Sequence, residues 1–248
     1  PYLIRNDVVI ATDAMLTIDP GTEIQFTDIA ADLQVDGALW AVGTVSNPIR
    51  FTSLRRTPAP GSWGGIYFSP TTNNASTRLQ HCVVEYGGSN FASLTQASLV
   101  FCDGASPILE QCVFQFSNND GIWIKNGSSV LIQPVIQNNK GFAARIFPNA
   151  FPQIRNAVAV TNRFNAIQIA GGSWTGSGEW VEPGIPYLIA EDVEIAPDAR
   201  IAFAKGNTIQ FNYISSDLIV RGRLDAIGSD TLPILFTSSQ LVPWRGTW

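Results

Sequence analysis

The residues that could carry out acid, base or nucleophilic chemistry are few in this chain. His81 is the only histidine, and a lone histidine could serve as a general base or as a metal ligand. The three cysteines, Cys82, Cys102 and Cys112, form no C-x-x-C pair, so a zinc site is not indicated. An odd number of cysteines also argues against a disulfide-stapled scaffold. None of these residues by itself predicts an active site.

Carboxylates are also sparse in the middle of the chain. Between residues 64 and 180 the acidic residues are Glu85, Asp103, Glu110, Asp120 and Glu179, and no two of them are adjacent. Sugar hydrolysis requires two carboxyl groups that flank the scissile bond. The spacing shows no such facing pair, and no calcium-loop pattern is present. The sequence therefore predicts no catalytic residue, no cofactor and no metal ligand.

Composition bounds the class of protein. The chain has 248 residues, of which 45% are hydrophobic and 14% are charged, and its net charge is −5. This balance argues against disorder, and the lack of a basic run argues against a nucleic-acid partner. Apolar runs are too short for a spanning helix, so membrane insertion is not expected. Ser, Thr, Asn and Gln replace lysine on the surface, as is common in secreted proteins.

A long internal repeat dominates the sequence. Pro1-Tyr2-Leu3-Ile4 recurs as Pro186-Tyr187-Leu188-Ile189, an offset of 185 residues. About 30 of the 63 aligned positions are identical without a gap, ending with Gly61 and Trp63 against Gly246 and Trp248. We interpret residues 1–185 as one complete long repeat and residues 186–248 as the start of a second copy in the same continuous structure. A piece of a longer tandem-repeat protein is favoured over a natural truncated end.

The acidic residues of the first copy recur as well. Asp7, Asp13 and Asp32 correspond to Asp192, Asp198 and Asp217. Recurrence of the same aspartates predicts a role in turns, where the carboxylate accepts backbone N–H groups.

A shorter period lies within the first copy. Segments around Cys82, Cys112, Pro134 and Ala157 are spaced by 30, 22 and 23 residues. Each carries an apolar residue three positions before and another two positions after. The position directly before is polar in all four, which predicts a polar ladder at a bend: His81, Gln111, Gln133 and Asn156. Cys82 and Cys112 share one column, either as a buried thiol ladder or, less favoured, as a disulfide.

The short period predicts the architecture. The segments read apolar-x-apolar, the period of a half-buried strand, and Gly- and Asn-rich turns separate them. Strands this short would also fit a sandwich or a barrel. A unit of about 22 residues cannot bury its own apolar face, however, so the units must stack. We therefore predict an all-β, single-stranded, right-handed parallel β-helix of about ten coils.

The rungs His81-Cys82-Val83-Val84 and Gln111-Cys112-Val113-Phe114 resemble those of right-handed parallel β-helix proteins of the pectate-lyase-like superfamily. The opening run, with Leu33-x-Val35-x-Gly37-x-Leu39-x-Ala41-x-Gly43, is similar to β-helix repeats of bacterial secreted and cell-surface proteins. The resemblance covers nearly the whole chain and implies a fold that hosts lyases, hydrolases, adhesins and passive stalks.

The resemblance also implies what an enzyme of this fold would need. The Asp-rich and Ser/Gly-His-Gly motifs of the polygalacturonase branch are missing from this sequence. The lyase branch would require a calcium-binding acidic cluster with a basic residue, for which Arg145 and Arg155 are the nearest candidates. Neither has such a cluster nearby in sequence.

Aromatic residues give the remaining functional hint. The middle residues of the apolar-x-apolar strands, Tyr67, Val100, Trp123, Ala143 and Gln168, are expected to point outward. Tyr67 and Trp123 would then form an exposed ligand- or protein-contact surface. The alternative is that they pack under the loops at 54–62 and 173–185.

These observations favour a non-enzymatic structural or adhesive module, extracellular or on a bacterial cell surface. Its expected partners are copies of itself or adjacent repeats, stacked end to end in a rod or filament. The open sheet edges at the ends of such a rod are prone to pair with further strands. The alternative is a carbohydrate-binding or lyase- or hydrolase-like protein acting on a polysaccharide or surface glycan.

Overall fold

The computed structural model describes residues 1–89, 91, 97–212 and 216–240, and these form a parallel β-solenoid. Consecutive strands wind around one axis, and strands on successive coils pair in parallel. The longest sheet has ten strands in the described part of the chain, so the prediction of an all-β solenoid of about ten coils is confirmed. One short 3₁₀ turn, Asn74–Ser76, is the only helix of the described residues.

Three sheets build the first seven coils. Sheet A contains β1 (Tyr2–Ile4), β4 (Glu23–Phe26), β7 (Ile49–Ser53), β10 (Cys82–Glu85), β13 (Val113–Gln115), β16 (Val135–Gln137) and β19 (Val158–Val160). Sheet B contains β2 (Val8–Ile10), β5 (Leu33–Val35), β8 (Ile66–Phe68), β11 (Ser98–Asp103), β14 (Asp120–Lys125), β17 (Phe142–Ile146), β20 (Phe164–Ile169), β23 (Tyr187–Ile189), β26 (Thr208–Phe211) and β29 (Leu235–Ser238). Sheet C contains β3 (Met15–Ile18), β6 (Ala38–Val42), β9 (Arg78–Gln80), β12 (Ile108–Glu110), β15 (Val130–Ile132) and β18 (Gln153–Arg155).

Two further sheets accompany sheet B over the last coils. Sheet D contains β21 (Gly172–Trp174), β24 (Val193–Ile195) and β27 (Leu218–Val220). Sheet E contains β22 (Gly178–Trp180), β25 (Arg200–Phe203) and β28 (Arg223–Ala226).

The core is a set of stacked apolar columns inside the solenoid. On sheet C, for example, Leu79, Leu109, Leu131 and Ile154 lie one above the other, and all are buried. Strands of three to six residues suffice because alternate side chains point inward and only those must be apolar. The register of sheet A reproduces the predicted spacing of 30, 22 and 23 residues, since Val83 pairs with Val113, Val113 with Val135 and Val135 with Val158.

Buried amides hold the bend between sheets A and B. The Asn139 N–H donates to Oδ1 of Asn162 (3.0 Å), and Nδ2 of Asn139 donates to the Phe114 carbonyl (3.2 Å). The Ser117 N–H in turn donates to Oδ1 of Asn139 (2.8 Å). A turn inside the solenoid leaves backbone groups without a sheet partner. The amide side chains form hydrogen bonds with these groups without burying a charge.

The second copy follows the first strand for strand, but it is turned by one sheet. Strands β1 and β4 lie in sheet A, whereas their counterparts β23 and β26 lie in sheet B. The coils have three strands each, and β23 comes 22 strands after β1, which is seven coils and one strand more. The 185-residue repeat therefore does not return to the same sheet.

The coil at residues 164–185 makes this change. Sheet A ends at β19 in the described residues, where the Val158 and Val160 side chains are exposed. The next coil donates from the Gly176 N–H to Oδ1 of Asn149 (2.6 Å). It accepts the Ala157 N–H at the Pro183 carbonyl (2.7 Å) and enters β23 directly afterwards. It thus reaches sheet B without a described strand above β19.

Recurring aspartates make the same turn contact in both copies. Oδ1 of Asp7 accepts the Asp32 N–H (3.2 Å), and Oδ1 of Asp192 accepts the Asp217 N–H (3.0 Å). The prediction that these aspartates serve turns is confirmed at this pair of positions. Gly246 and Trp248, which end the sequence match, lie outside the described residues.

Candidate functional site

The outer face of sheet B carries the residues considered for binding. Strand pairing places one outward column along it, formed by Gln34, Tyr67, Phe101, Trp123, Arg145 and Gln168. The expectation that Val100 and Ala143 belong to this column was wrong. Val100 pairs with Ile66 and points into the core, and Arg145 rather than Ala143 lies beside Trp123. Strands β11 and β17 are longer than the apolar-x-apolar triplet, so the triplet alone does not fix which of their residues aligns with Tyr67 and Trp123. A shift of one residue moves a side chain from the outer face of the sheet to the inner face.

The aromatic residues of this column form a cluster outside the main core. Tyr67 packs on Phe101 with ring centroids 5.4 Å apart, and Phe101 meets Trp123 edge to face at 5.9 Å. Phe91 covers Phe101 from one side, and Phe147 meets Trp123 at 5.5 Å. We call these five residues the outer aromatic cluster.

The outer aromatic cluster is less accessible than the sequence indicated. Only 8% of Trp123 is exposed, so the expectation of an exposed tryptophan was wrong, whereas Tyr67 is half-buried. Among the described hydrophobic residues, Phe91 and Phe147 pack against the cluster, and no residue of the loops at 54–62 and 173–185 belongs to it. The sequence separates Phe91 from its partners by variable spacing, so the short repeat gave no signal for it. Tyr67 and Phe147 are the two half-buried members of the cluster.

A buried ion pair fixes the end of the cluster. Asp120 has no exposed surface, and its Oδ2 accepts from Nε of Arg145 (2.9 Å) and from Nε1 of Trp123 (2.5 Å). Its Oδ1 accepts the Phe142 N–H (2.7 Å). The Arg145 guanidinium lies 5.4 Å from the Trp123 ring centroid, within the range of a cation–π contact. Both oxygens of Asp120 are thus committed to the protein itself.

Gly141 is required for that arrangement. A Cβ at this position would lie 2.1 Å from Oδ1 of Asp120, so any other residue would displace the carboxylate. The strand β17 therefore begins directly after a glycine because the carboxylate occupies the space of a side chain.

The phenol of Tyr67 stays protonated over a wide pH range. Burial raises its pKa above the ordinary value of 10.0, and the negative charges of Asp103 and Asp36 raise it further. A neutral Tyr67 offers one hydroxyl donor and an apolar ring. This combination suits contact with a sugar or a protein surface.

The four residues of the polar ladder lie at one bend between sheets C and A. His81, Gln111, Gln133 and Asn156 all have φ near +50°, the left-handed region. Nε2 of Gln111 donates to Oε1 of Gln133 (3.0 Å), and the His81 N–H donates to the Glu110 carbonyl (3.1 Å). The bend requires this backbone geometry at each coil. His81 therefore occupies a turn position equivalent to that of two glutamines and an asparagine.

The three cysteines are free and buried. Cys82 and Cys112 lie on adjacent rungs, and a hydrogen bond between the thiols together with burial raises the pKa of Cys82. Burial raises the pKa of Cys102 to about 12. The favoured thiol ladder, rather than a disulfide, is present.

Two other carboxylates, Glu85 and Glu110, are paired along the outside of sheets A and C. Oε1 of Glu85 accepts from Nη1 of Arg50 (2.6 Å), and Oε2 accepts from Nε2 of Gln115 (2.6 Å). Glu110 pairs with Arg78. Arg155, the second candidate base, is exposed and donates to Oε1 of Gln153 (3.3 Å). The described residues contain no group of three or more His, Cys, Asp or Glu side chains that could hold a metal ion.

Comparisons with known proteins agree with the fold. A family model described as a pectate-lyase like beta helix domain matches residues 1–97. No curated protein and no solved structure matches the chain. In the described residues no helix has the length and hydropathy needed to cross a bilayer. The chain thus resembles pectate-lyase-like β-helix proteins in fold, and that fold is compatible with enzymes and non-enzymes alike.

Proposed function

We propose that this chain is a non-enzymatic structural or adhesive β-helix repeat module of a secreted or cell-surface protein. The observation that carries the proposal is the second copy, which continues the solenoid of the first through parallel strand pairs. A solenoid that can be lengthened by whole repeats makes a rod of increasing length, and such a rod holds surfaces at a distance.

The arrangement of charged groups supports the same proposal. Each of the carboxylates Glu85, Glu110 and Asp120 is bound to an arginine of its own. Glycoside hydrolysis needs two carboxyl groups facing one bond, about 5 to 10 Å apart. The paired carboxylates instead stabilise neighbouring rungs, since each ion pair joins residues on different coils.

A direct assay tests the absence of catalysis. The full chain is incubated with polygalacturonate, pectin, alginate and xylan, and both new reducing ends and the absorbance of unsaturated products are recorded. We expect no product above the rate of heat-unfolded chain. Turnover that disappears in Arg145→Lys, while a matched Arg155→Lys variant keeps it, would replace the proposal with a lyase.

The alternative function is carbohydrate binding without turnover, and the outer aromatic cluster favours it. Tyr67 presents a partly exposed ring beside an open depression lined by Phe91, Ile29 and Ser89. Binding of soluble oligosaccharides is measured by calorimetry with wild type, Tyr67→Ala and Tyr86→Ala. Tyr86 is the matched control because it is also half-buried, yet its ring stacks on Phe116 at a bend outside the cluster. Loss of binding in Tyr67→Ala alone would support the alternative.

A further inference from the structure

The same sequence meets two different environments in this chain. Tyr2 is 68% exposed and Leu3 is 48% exposed, whereas their counterparts Tyr187 and Leu188 are 0% and 2% exposed. The difference extends to the third strand of the coil, where Leu16 is exposed and its counterpart Ile201 is buried. The first coil of copy one therefore displays an apolar surface, whereas the equivalent surface of copy two is covered.

The cover of copy two is the coil at residues 164–185. Strand β20 pairs with β23, β21 with β24, and β22 with β25. Trp180 lies between the two copies, with its ring centroid 6.1 Å from that of Tyr187 and 4.9 Å from that of Phe203. The Tyr187 hydroxyl donates to the Val181 carbonyl (2.8 Å). This junction is a continuous, packed interface between the end of one copy and the start of the next.

The first coil keeps the residues that face this junction. Tyr2, Leu3, Ile4 and Val8 are identical to their counterparts in copy two. Ile18 stands where copy two has Phe203, and isoleucine is smaller but still apolar. The substitutions that change polarity fall on outward positions, where Val9 stands for Glu194 and Met15 for Arg200. An apolar cavity of about 350 Å³ opens between the inward residues, including Tyr2, Ile4, Val8 and Ile18.

We propose that β1, β2 and β3 form a docking surface for a coil equivalent to residues 164–185 of another copy of this repeat. This proposal rests on the proposed function as a repeat module and names its partner. Strands equivalent to β20, β21 and β22 pair with β1, β2 and β3. Sheet B of the preceding copy then continues as sheet A of this one, so successive copies are turned by one sheet.

The opposite end of the described chain is not the partner. Strands β27, β28 and β29 are the counterparts of β5, β6 and β7. In copy one those strands are covered by β8, β9 and β10, not by β1, β2 and β3. Simple head-to-tail contact between two chains would therefore join surfaces that the repeat does not join.

A tandem protein tests the proposal. Residues 1–185 are placed directly ahead of the full chain, so that Ile185 is followed by Pro1, which reproduces the native sequence Ile185-Pro186-Tyr187. A cysteine is introduced in the downstream copy only, as Tyr2→Cys or as Val9→Cys, and the rate of thiol modification is compared between tandem and single chain. Unsubstituted proteins give the background because all three native cysteines are buried.

Position 2 reports on the junction and position 9 is the matched control. In the single chain both cysteines are expected to react quickly, since Tyr2 and Val9 are exposed. In the tandem, modification of Tyr2→Cys slows by about a hundredfold or more because the site is reached only through local opening. Val9→Cys changes by less than about threefold, since its counterpart Glu194 keeps part of its surface in solvent. Equal rates for Tyr2→Cys in tandem and single chain would overturn the proposal.

A second measurement covers the case in which the introduced cysteine disturbs folding. Tyr2→Asp is compared with wild type by urea unfolding in both backgrounds. We expect an unchanged midpoint in the single chain and a lowered midpoint of the downstream copy in the tandem. If Tyr2→Cys were modified slowly in the single chain, at a rate that falls as the protein concentration rises, the single chain would self-associate through this surface. That result would overturn the proposal. Polysaccharide turnover by the single chain would overturn the proposed function and leave the junction result standing.

Discussion

Nε of Arg145 donates to Oδ2 of Asp120 across 2.9 Å, and this pair joins two neighbouring coils on the outer face of sheet B. Asp120 is fully buried, whereas about a quarter of the Arg145 side chain is exposed. The carboxylate also accepts from Trp123 and from the backbone of β17. The pair thus connects the outer aromatic cluster with the paired strands β14 and β17 of sheet B.

Removing this carboxylate should be costly. Asp120→Ala leaves Arg145 without its partner and the buried donors of Trp123 and Phe142 unsatisfied. We expect a loss of about 3 kcal/mol in the free energy of unfolding, measured by urea denaturation. Asp103→Ala is the control, because Asp103 pairs at 3.3 Å with Lys125, whose side chain is 39% exposed, and it should cost less than about 1 kcal/mol. Equal losses in the two variants would contradict the assignment of Asp120.

The native thiols should be unreactive in the folded protein. The pKa of Cys102 is about 12, so its thiolate is scarce at pH 8, and burial blocks access to all three sulfurs. Titration with a chromogenic disulfide reagent should detect fewer than one thiol in buffer and all three in 8 M urea. Fewer than three thiols in urea without reductant would indicate a disulfide between Cys82 and Cys112.

The left-handed backbone conformation should decide which substitutions the polar ladder tolerates. Gln133 has φ of +50° and an exposed side chain. Gln133→Val places a β-branched residue in this conformation and should lower the free energy of unfolding by about 2 kcal/mol. Gln133→Asn should be neutral within about 0.5 kcal/mol, because asparagine accepts the conformation and occupies the equivalent bend at Asn156. Thermal and urea unfolding of both variants measure the difference.

The same test separates the two roles of His81. With φ of +48° it should tolerate Asn and lose stability with Val, as Gln133 does. A large effect of His81→Asn on glycan binding or turnover, at unchanged stability, would contradict a purely structural role.

The tryptophans of the coil at residues 164–185 should be among the core positions at which substitution lowers stability most. Trp174 and Trp180 are fully buried and meet edge to face with centroids 4.9 Å apart. Trp180→Ala should lower the free energy of unfolding by about 4 kcal/mol, since it empties the space between Tyr187 and Phe203. Trp180→Phe keeps an aromatic ring in that space and should cost about half as much. Amide hydrogen exchange should show the added opening in β22 and β25 rather than in the first coils.

Much of the fold could be predicted from the sequence alone. The columns of Leu79, Leu109, Leu131 and Ile154, and of the polar residues at the bend, follow from spacing because stacked rungs place like residues over like residues. The one-residue error at Val100 and Ala143 arose because a longer strand leaves its alignment open, and a shift of one residue exchanges the inside and the outside.

Tertiary structure decided what the repeats do to one another. The sequence determined that residues 186–189 copy residues 1–4, because that identity is written in the chain. It did not determine that Tyr2 is exposed and Tyr187 buried, since burial depends on which coil lies beneath. Nor could it show the turn by one sheet, which follows from counting three strands to each coil, or the packing of Phe147 on Trp123. Spacing along the chain fixes which residues repeat, whereas only the winding of the chain fixes which of them meet.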